Sequence, residues 1–225
     1  MAAGPIDIAG GPDPLLRARL ERAVRHFRLQ AAHNLLDEAL TALPPPVIVR
    51  EVVGPILDRL KREGEDGAAR FATSLVEVRL LAQARGWEAV DGPLAVLACA
   101  PREENVLELI ALGLALALAE GGCRISYLGA ATPTSVLRQA IRDREAAAVL
   151  LSAEALDLQP REVMQLQLVA RDVPVLTTGR ACAALAGAFG GQALPDDPVR
   201  AVVMLAGIAR QESSRGSDGP SSRPT

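Results

Sequence analysis

Aromatic residues are scarce in this chain: phenylalanine, tryptophan and tyrosine together make up 2% of its 225 residues. The core must therefore be built from Ala, Leu and Val, and few flat side chains are available for stacking against a nucleobase. A formal net charge of -3 gives no attraction to nucleic acid or to an anionic membrane. The longest apolar run, Leu109–Ala119, is too short to span a bilayer. No leader peptide opens the sequence, so we expect a cytoplasmic protein that contacts neither membrane nor nucleic acid directly.

Histidine and cysteine are too few and too scattered to form a metal or catalytic site. His26 and His33 fall on one predicted helix, about 10 Å apart along its axis, which is too far to chelate one ion. Cys99, Cys123 and Cys182 form no C-x-x-C pair, and free cysteines are usually buried thiols. The sequence contains neither a G-x-x-x-x-G-K-[ST] phosphate loop nor a G-x-G-x-x-G turn after a strand. We therefore expect no metal ligand, no catalytic residue and no enzymatic activity.

The apolar pattern divides the chain into two domains between two polar ends. Residues 1–13 are rich in Gly and Pro and residues 211–225 lack apolar side chains, so both ends are predicted to be disordered. Residues 14–90 have apolar positions at three- and four-residue spacing, which predicts a helical bundle. Its first helix is predicted to run without a break from Pro14 to the PPP stretch at 44–46.

Strands and helices alternate in the second domain, residues 91–210. The strand candidates are the apolar runs at 94–99, 124–128, 147–151, 174–178 and 192–194. Such runs, joined by helical crossovers, predict an α/β fold with a five-stranded, doubly wound parallel sheet. Ligands of these sheets bind over the carboxyl ends of the strands. The predicted site is therefore surrounded by the loops at 101–105, 129–133, 152–157 and 177–180.

Four stretches carry a resemblance to a known family: FATSLVEVRLLAQARGW (71–87), SYLGAATPTSVLRQAI (126–141), LLSAEAL (150–156) and VPVLTTGRACAAL (173–185). They are similar to parts of the cobalamin-binding module, a helical cap followed by a flavodoxin-like domain. That module occurs in light-sensing repressors of the MerR type and in corrinoid proteins of methyl transfer. The resemblance covers about residues 14–209 and implies a cobalamin site over the four loops.

In the loop after the first strand, the family keeps a D/E-x-H-x-x-G motif whose histidine ligates cobalt. Glu103 matches the acidic position, Asn105 stands in place of the histidine, and Glu108 stands in place of the glycine. Thr178 departs from a Gly-Gly pair of the family in the fourth loop. An amide nitrogen has no lone pair to give to cobalt, so the resemblance implies cobalamin held base-on or otherwise without a protein histidine. The implied cofactor contacts are Glu103, Asn105, Gly129, Ser152 and Gly179.

The cap departs from the family as well. Light-sensing members cover the cofactor with a tryptophan and a Glu-His pair, whereas Leu60 and Ala69–Arg70 stand there in this chain. MerR-type repressors carry a DNA-binding domain ahead of the cap, for which residues 1–13 leave no room. We therefore expect any regulation to pass through a protein partner, such as a transcription regulator.

Three functions are compatible with these observations. The first is a stand-alone sensory or regulatory protein that binds cobalamin or a related ligand and signals to a protein partner. The second is the corrinoid-carrying subunit of a methyltransferase, which Asn105 argues against because that role needs controlled cobalt ligation. The third is a ligand-free interaction module of the same fold, forming a homodimer or a heterodimer with an intact homologue.

Overall fold

A computed structural model describes residues 13–87, 91–119 and 122–217, with side chains as far as Gln211. The chain divides into two compact units. One contains the chain to Arg85 together with Ile110–Ala115, and the other contains Gly86–Leu109 and the chain from Leu116 onwards. Of the predicted disordered ends, residues 1–12 and 218–225 lie outside the described residues.

The first unit is helical. Its elements are α1 (Pro14–Arg25), α2 (Leu29–Ala42), α3 (Pro45–Val47), a π-helical segment (Ile48–Val53), α4 (Gly54–Arg62), α5 (Asp66–Gln83) and a 3-10 turn (Ala84–Gly86). Asp13 caps the first helix, because its carboxylate accepts the N–H of Leu15 at 2.8 Å and Pro14 begins the helix. Amphipathic packing of α1 on α2 and of α4 on α5 buries the aliphatic side chains.

The prediction of one unbroken first helix was wrong, because the chain turns at Phe27. The backbone of this residue is left-handed, with φ of 51°. Its N–H donates to the carbonyl of Val24 at 3.0 Å, and the N–H of Arg28 donates to Ala23 at 2.8 Å. These are the two bonds of a Schellman motif, which normally has glycine at this position. The Phe27 ring packs edge-on against Phe71 with centroids 5.4 Å apart, and that contact offsets the cost of the left-handed backbone.

The core of the helical unit is built from aliphatic side chains. It contains a cavity of about 10 Å³ lined by Leu20, Val24, Val53, Ile56, Ala72, Leu75 and Val76. This space holds at most one water and offers it no polar partner, so it is not a ligand site. Leu60, at the position of the family's tryptophan, is fully buried in this unit, as is nearly all of Ala69, whereas Arg70 is exposed.

The second unit is the predicted α/β fold, with a five-stranded sheet in which all the paired strands are parallel. The elements from residue 94 onwards are β1 (Leu94–Cys99), α6 (Leu107–Leu118), β2 (Arg124–Gly129), α7 (Thr134–Arg144), β3 (Ala148–Ser152), α8 (Pro160–Asp172), β4 (Val175–Thr178), α9 (Cys182–Phe189), β5 (Gln192–Ala193) and α10 (Pro198–Ser217). The middle of α6, Ile110–Ala115, is the part grouped with the first unit. The strand order is β2-β1-β3-β4-β5. This order reverses between β1 and β3, where doubly wound sheets form their ligand crevice.

β1 and β3 are buried along their whole length, which explains why their residues are apolar up to Ser152 at the end of β3. On one face of the sheet, alternate residues of these strands join α7, α8 and α9 in a single core that includes Val96, Leu151, Leu166 and Phe189. The helix α10 packs on β3. None of the described helices is both long enough and apolar enough to cross a membrane.

Two predicted boundaries in this unit were wrong. The sequence pattern predicts a helix at 103–120 after β1, but this helix begins at Leu107, so the segment before it is a loop. The last helix runs to Ser217, beyond the predicted start of the disordered tail at residue 211. Polar residues such as Gln211 and Glu212 are good helix formers, and they continue the helix without an apolar face of their own.

Candidate functional site

The loop between β1 and α6 is organised by one carboxylate, that of Glu103. One oxygen accepts the N–H of Asn105 and the other accepts the N–H of Glu154 in the loop after β3, each at 2.7 Å. The carbonyl of Glu103 also accepts the N–H of Ala131, in the loop after β2, at 2.7 Å. Glu103 therefore joins three of the four loops predicted to surround the site.

Asn105 lies in this loop and makes local contacts with its own chain. Its side-chain oxygen accepts the N–H of Leu107, two residues further on, at 3.3 Å, which forms an Asx turn just before α6. Its carbonyl accepts a weak hydrogen bond from the buried thiol of Cys99, with sulfur and oxygen 3.6 Å apart. The side chain of Asn105 therefore helps to fix the backbone at the start of α6.

Arg102 makes a second connection between the loops after β1 and β3. This residue has φ of 70°, in the left-handed region. Its guanidinium bonds both carboxylate oxygens of Glu162 at 3.0 and 2.8 Å and one oxygen of Asp157 at 3.0 Å. The hydrogen bonds from Arg102 lower the pKa of Glu162 below its ordinary value, although slight burial opposes this. Charged side chains therefore hold the loop after β1 at two points: Arg102 bonds Asp157 and Glu162, and Glu103 bonds the backbone of Glu154.

Ser152 and Gly179 belong to the strand ends rather than to open loops. Ser152 is 1% exposed at the end of β3, pairs in register with Cys99 and Thr178, and its carbonyl accepts the N–H of Ala100 at 2.8 Å. Gly179 has φ of 88°, and a Cβ there would lie 2.3 Å from the carbonyl oxygen of Ala153. Glycine is therefore required at this position by the fold alone.

Gly129 differs from Gly179 in its surroundings. It ends β2 with φ of 89°, and a Cβ added to it would meet no heavy atom within 4 Å. Its carbonyl accepts the hydroxyl of Thr132 at 3.0 Å, which closes the turn into α7. Of the two glycines predicted to contact a cofactor, Gly129 is therefore the one with open space beside its backbone.

Glu108 and Thr178, which depart from the family motifs, are bonded to each other. The Thr178 hydroxyl donates to a carboxylate oxygen of Glu108 at 2.8 Å, which connects the start of α6 to the end of β4. Thr178 is 5% exposed and Glu108 is half-buried. The pair therefore occupies space at the carboxyl edge of the sheet that two glycines would leave empty.

Glu154 adds a third carboxylate to those of Glu103 and Glu108 at this edge of the sheet. Burial raises its pKa above the ordinary value, and repulsion by Glu103 and Glu108 acts in the same direction. Arg180 opposes the shift, with its Nε 3.3 Å from a carboxylate oxygen of Glu154. No group of three His, Cys, Asp or Glu side chains in the described part of the chain is arranged to hold a metal ion.

The five predicted residues all lie at the carboxyl edge of the sheet, and backbone hydrogen bonds connect their loops. Their role as cofactor contacts stays a prediction. Sequence reasoning missed Arg102, Glu154 and Arg180, since nothing in their type or spacing indicates a partner. The Glu108–Thr178 contact did have a signal, because both residues replace glycine in motifs that face the same edge.

Comparison with known proteins shows one similar sequence and several similar structures. No protein-family model matches the chain. The helix-turn-helix-type transcriptional repressor CarH of Myxococcus xanthus is 31% identical over 174 residues, which is 73% of this chain and 58% of the repressor. The chain thus spans less than two thirds of the length of this relative.

Two solved structures are similar to this chain to different degrees. The monomethylamine corrinoid protein of Methanosarcina barkeri has a TM-score of 0.65 at 15% identity, with 88% of this chain and 100% of that chain covered. A cobalamin-binding protein from Desulfitobacterium hafniense aligns with a TM-score of 0.42 at 14% identity, with 86% and 98% covered. The first of these shows that the fold is shared.

Proposed function

Because this chain belongs to the cobalamin-binding domain family, we propose that it is a regulatory protein without enzymatic activity that binds cobalamin or a related corrinoid and signals to a protein partner. The observation that carries the proposal is the set of loops at the switch point between β1 and β3. Three of them are held in place by the hydrogen bonds of Glu103, and Gly129 leaves open space beside them. A ligand site of this kind is preformed, which lowers the entropy cost of binding.

The residues present do not fit a corrinoid whose cobalt is ligated by the protein. The amide of Asn105 offers no nitrogen lone pair, and its oxygen already accepts the N–H of Leu107. Both oxygens of Glu103 accept backbone N–H groups, so this carboxylate already holds two loops in place without a histidine beside it. The proposed binding is therefore base-on or otherwise free of a protein ligand.

A regulatory role is supported over that of a methyl carrier. The relative at 31% identity is a transcriptional repressor, whereas the corrinoid protein at 15% identity shares the fold alone. A carrier must control the lower ligand of cobalt as the metal changes oxidation state, and Asn105 cannot supply that ligand. We propose that the partner is a protein such as a transcription regulator.

The direct test is retention of a corrinoid. The purified chain is mixed in the dark with hydroxocobalamin, adenosylcobalamin or cobinamide, a corrinoid without the nucleotide tail, and passed through a desalting column. We expect a retained visible spectrum, and a change on illumination would extend the proposal to light sensing. Gly129→Phe is the matched variant, because its ring enters the open space at the end of β2; it should lose the colour and keep the far-UV circular dichroism spectrum.

A ligand-free interaction module is the second candidate, and the Glu108–Thr178 pair favours it by filling the carboxyl edge with the chain's own atoms. A protein that retains none of the three corrinoids would overturn corrinoid binding and the carrier role together. The module would then be tested by analytical ultracentrifugation, alone for a homodimer and with an intact homologue for a heterodimer.

A further inference from the structure

Two side chains that replace glycines are bonded to each other across the candidate site. Glu108 stands on the first turn of α6 and Thr178 ends β4, yet the carboxylate and the hydroxyl lie 2.8 Å apart. Neither side chain is free to swing away at no cost, because Thr178 is 5% exposed and loses its hydrogen-bond acceptor if Glu108 leaves. The pair is therefore a fixed obstacle of defined size and charge.

The charge near this obstacle is predominantly negative. Glu103 and Glu108 both raise the pKa of Glu154, which places the three carboxylates within electrostatic reach of one another. The guanidinium of Arg180 opposes this charge, but its side chain is 68% exposed and therefore screened by solvent, and that of Arg102 is bonded to Asp157 and Glu162. An anionic group brought to this edge is repelled, while a neutral or cationic group is not.

We propose that the Glu108–Thr178 pair is a specificity determinant that makes the site prefer corrinoids without a nucleotide tail. The inference rests on the proposed function. Complete cobalamin carries a phosphodiester in its tail, and in the base-on form that tail lies on the lower face of the corrin ring. Cobinamide has neither the phosphodiester nor the bulk of the tail. The pair therefore disfavours the nucleotide tail both by the volume of its side chains and by the negative charge of Glu108.

The test compares two ligands on four proteins. Dissociation constants for aquacobalamin and diaquacobinamide are measured by absorbance titration in the dark for the wild type, Glu108→Gln, the double variant Glu108→Ala/Thr178→Gly, and Glu104→Gln. The glutamine variant removes charge and keeps an acceptor for Thr178, whereas the double variant removes both side chains. Glu104 is exposed in the same loop, so Glu104→Gln matches the change in net charge without touching the pair.

We expect the wild type to bind cobinamide about tenfold more tightly than cobalamin. The preference should fall by about threefold in Glu108→Gln and disappear in the double variant, while Glu104→Gln keeps it. If the double variant fails to fold, as judged by circular dichroism, the ratio of the two dissociation constants in Glu108→Gln decides the test.

The outcomes separate this inference from the proposed function. Equal binding of the two corrinoids by wild type and variants overturns the inference and leaves corrinoid binding standing. A wild type that binds neither corrinoid overturns the preference for tail-less corrinoids as well as the proposed function, even if the double variant binds cobalamin. No binding by any of the four proteins overturns both.

Discussion

Substitution of Glu103 by glutamine tests whether this carboxylate holds the loops of the second unit together. The carboxylate accepts the N–H of Asn105 with one oxygen and that of Glu154 with the other. Glutamine keeps one acceptor but points an amide N–H at the second backbone donor. One hydrogen bond is therefore lost and one half-buried N–H is left without a partner.

The expected loss follows from these two contacts. A hydrogen bond to a charged acceptor contributes about 1.5–3 kcal/mol, and an unsatisfied buried donor costs a similar amount. Partial solvent access at this loop places Glu103→Gln at about 2 kcal/mol of destabilisation and Glu103→Ala, which removes both acceptors, at about 3 kcal/mol. Glu104→Gln makes the same change of charge on the neighbouring exposed side chain and should cost less than about 0.5 kcal/mol.

The assay is urea unfolding at pH 7 followed by tryptophan fluorescence. The chain has a single tryptophan, Trp87, which is 7% exposed in the second unit and packs edge-on to Tyr127 with centroids 5.9 Å apart. Its emission therefore reports on the unit that contains Glu103. A Glu103→Gln midpoint equal to that of Glu104→Gln would refute the argument, because the hydrogen bonds would then contribute nothing to the unit.

The remaining predictions concern two glycines and one buried acid. Gly179→Ala should cost more than about 3 kcal/mol, because its Cβ would lie 2.3 Å from the Ala153 oxygen, whereas Gly129→Ala should cost about 1 kcal/mol for its left-handed backbone alone. Equal losses in thermal unfolding would contradict this assignment. Burial raises the pKa of Glu154 above its ordinary value of 4.5. Between pH 4.5 and the raised pKa, the folded protein therefore keeps a proton that the unfolded chain has released. The free energy of unfolding falls as the pH rises through this range. Glu154→Gln should therefore unfold at higher urea than the wild type at pH 7, and the midpoints should converge below pH 4.5; a constant difference would exclude Glu154 as the cause.

Much of the fold was predictable because burial on both faces of a parallel sheet leaves a plain pattern in the sequence. The apolar run at 94–99 is β1, and the runs at 124–128 and 174–178 differ from β2 and β4 by one residue. Placement of Glu103, Ser152 and Gly179 at one edge follows from the same rule, since parallel strands end on the same side.

The contacts within the site were not predictable in the same way, because they depend on backbone conformations that residue type did not indicate. Arg102 and Phe27 both adopt left-handed backbone that glycine usually supplies. The Arg102 guanidinium reaches Glu162 from this left-handed backbone, so the contact could not be predicted without it. The break at Phe27 was missed for the same reason, since an aromatic residue at helical spacing predicts continuation of the helix.

The hydrogen bonds of Glu103 also limit how this chain can change over evolutionary time. A carboxylate that only tuned a histidine could be lost and regained by single substitutions. Here the same side chain satisfies two backbone N–H groups from different loops. Replacement of Glu103 would leave both N–H groups without their acceptor, whether or not a ligand is bound. Selection for a stable fold is therefore enough to keep an acid at position 103, and its presence is not by itself a sign of cobalt chemistry.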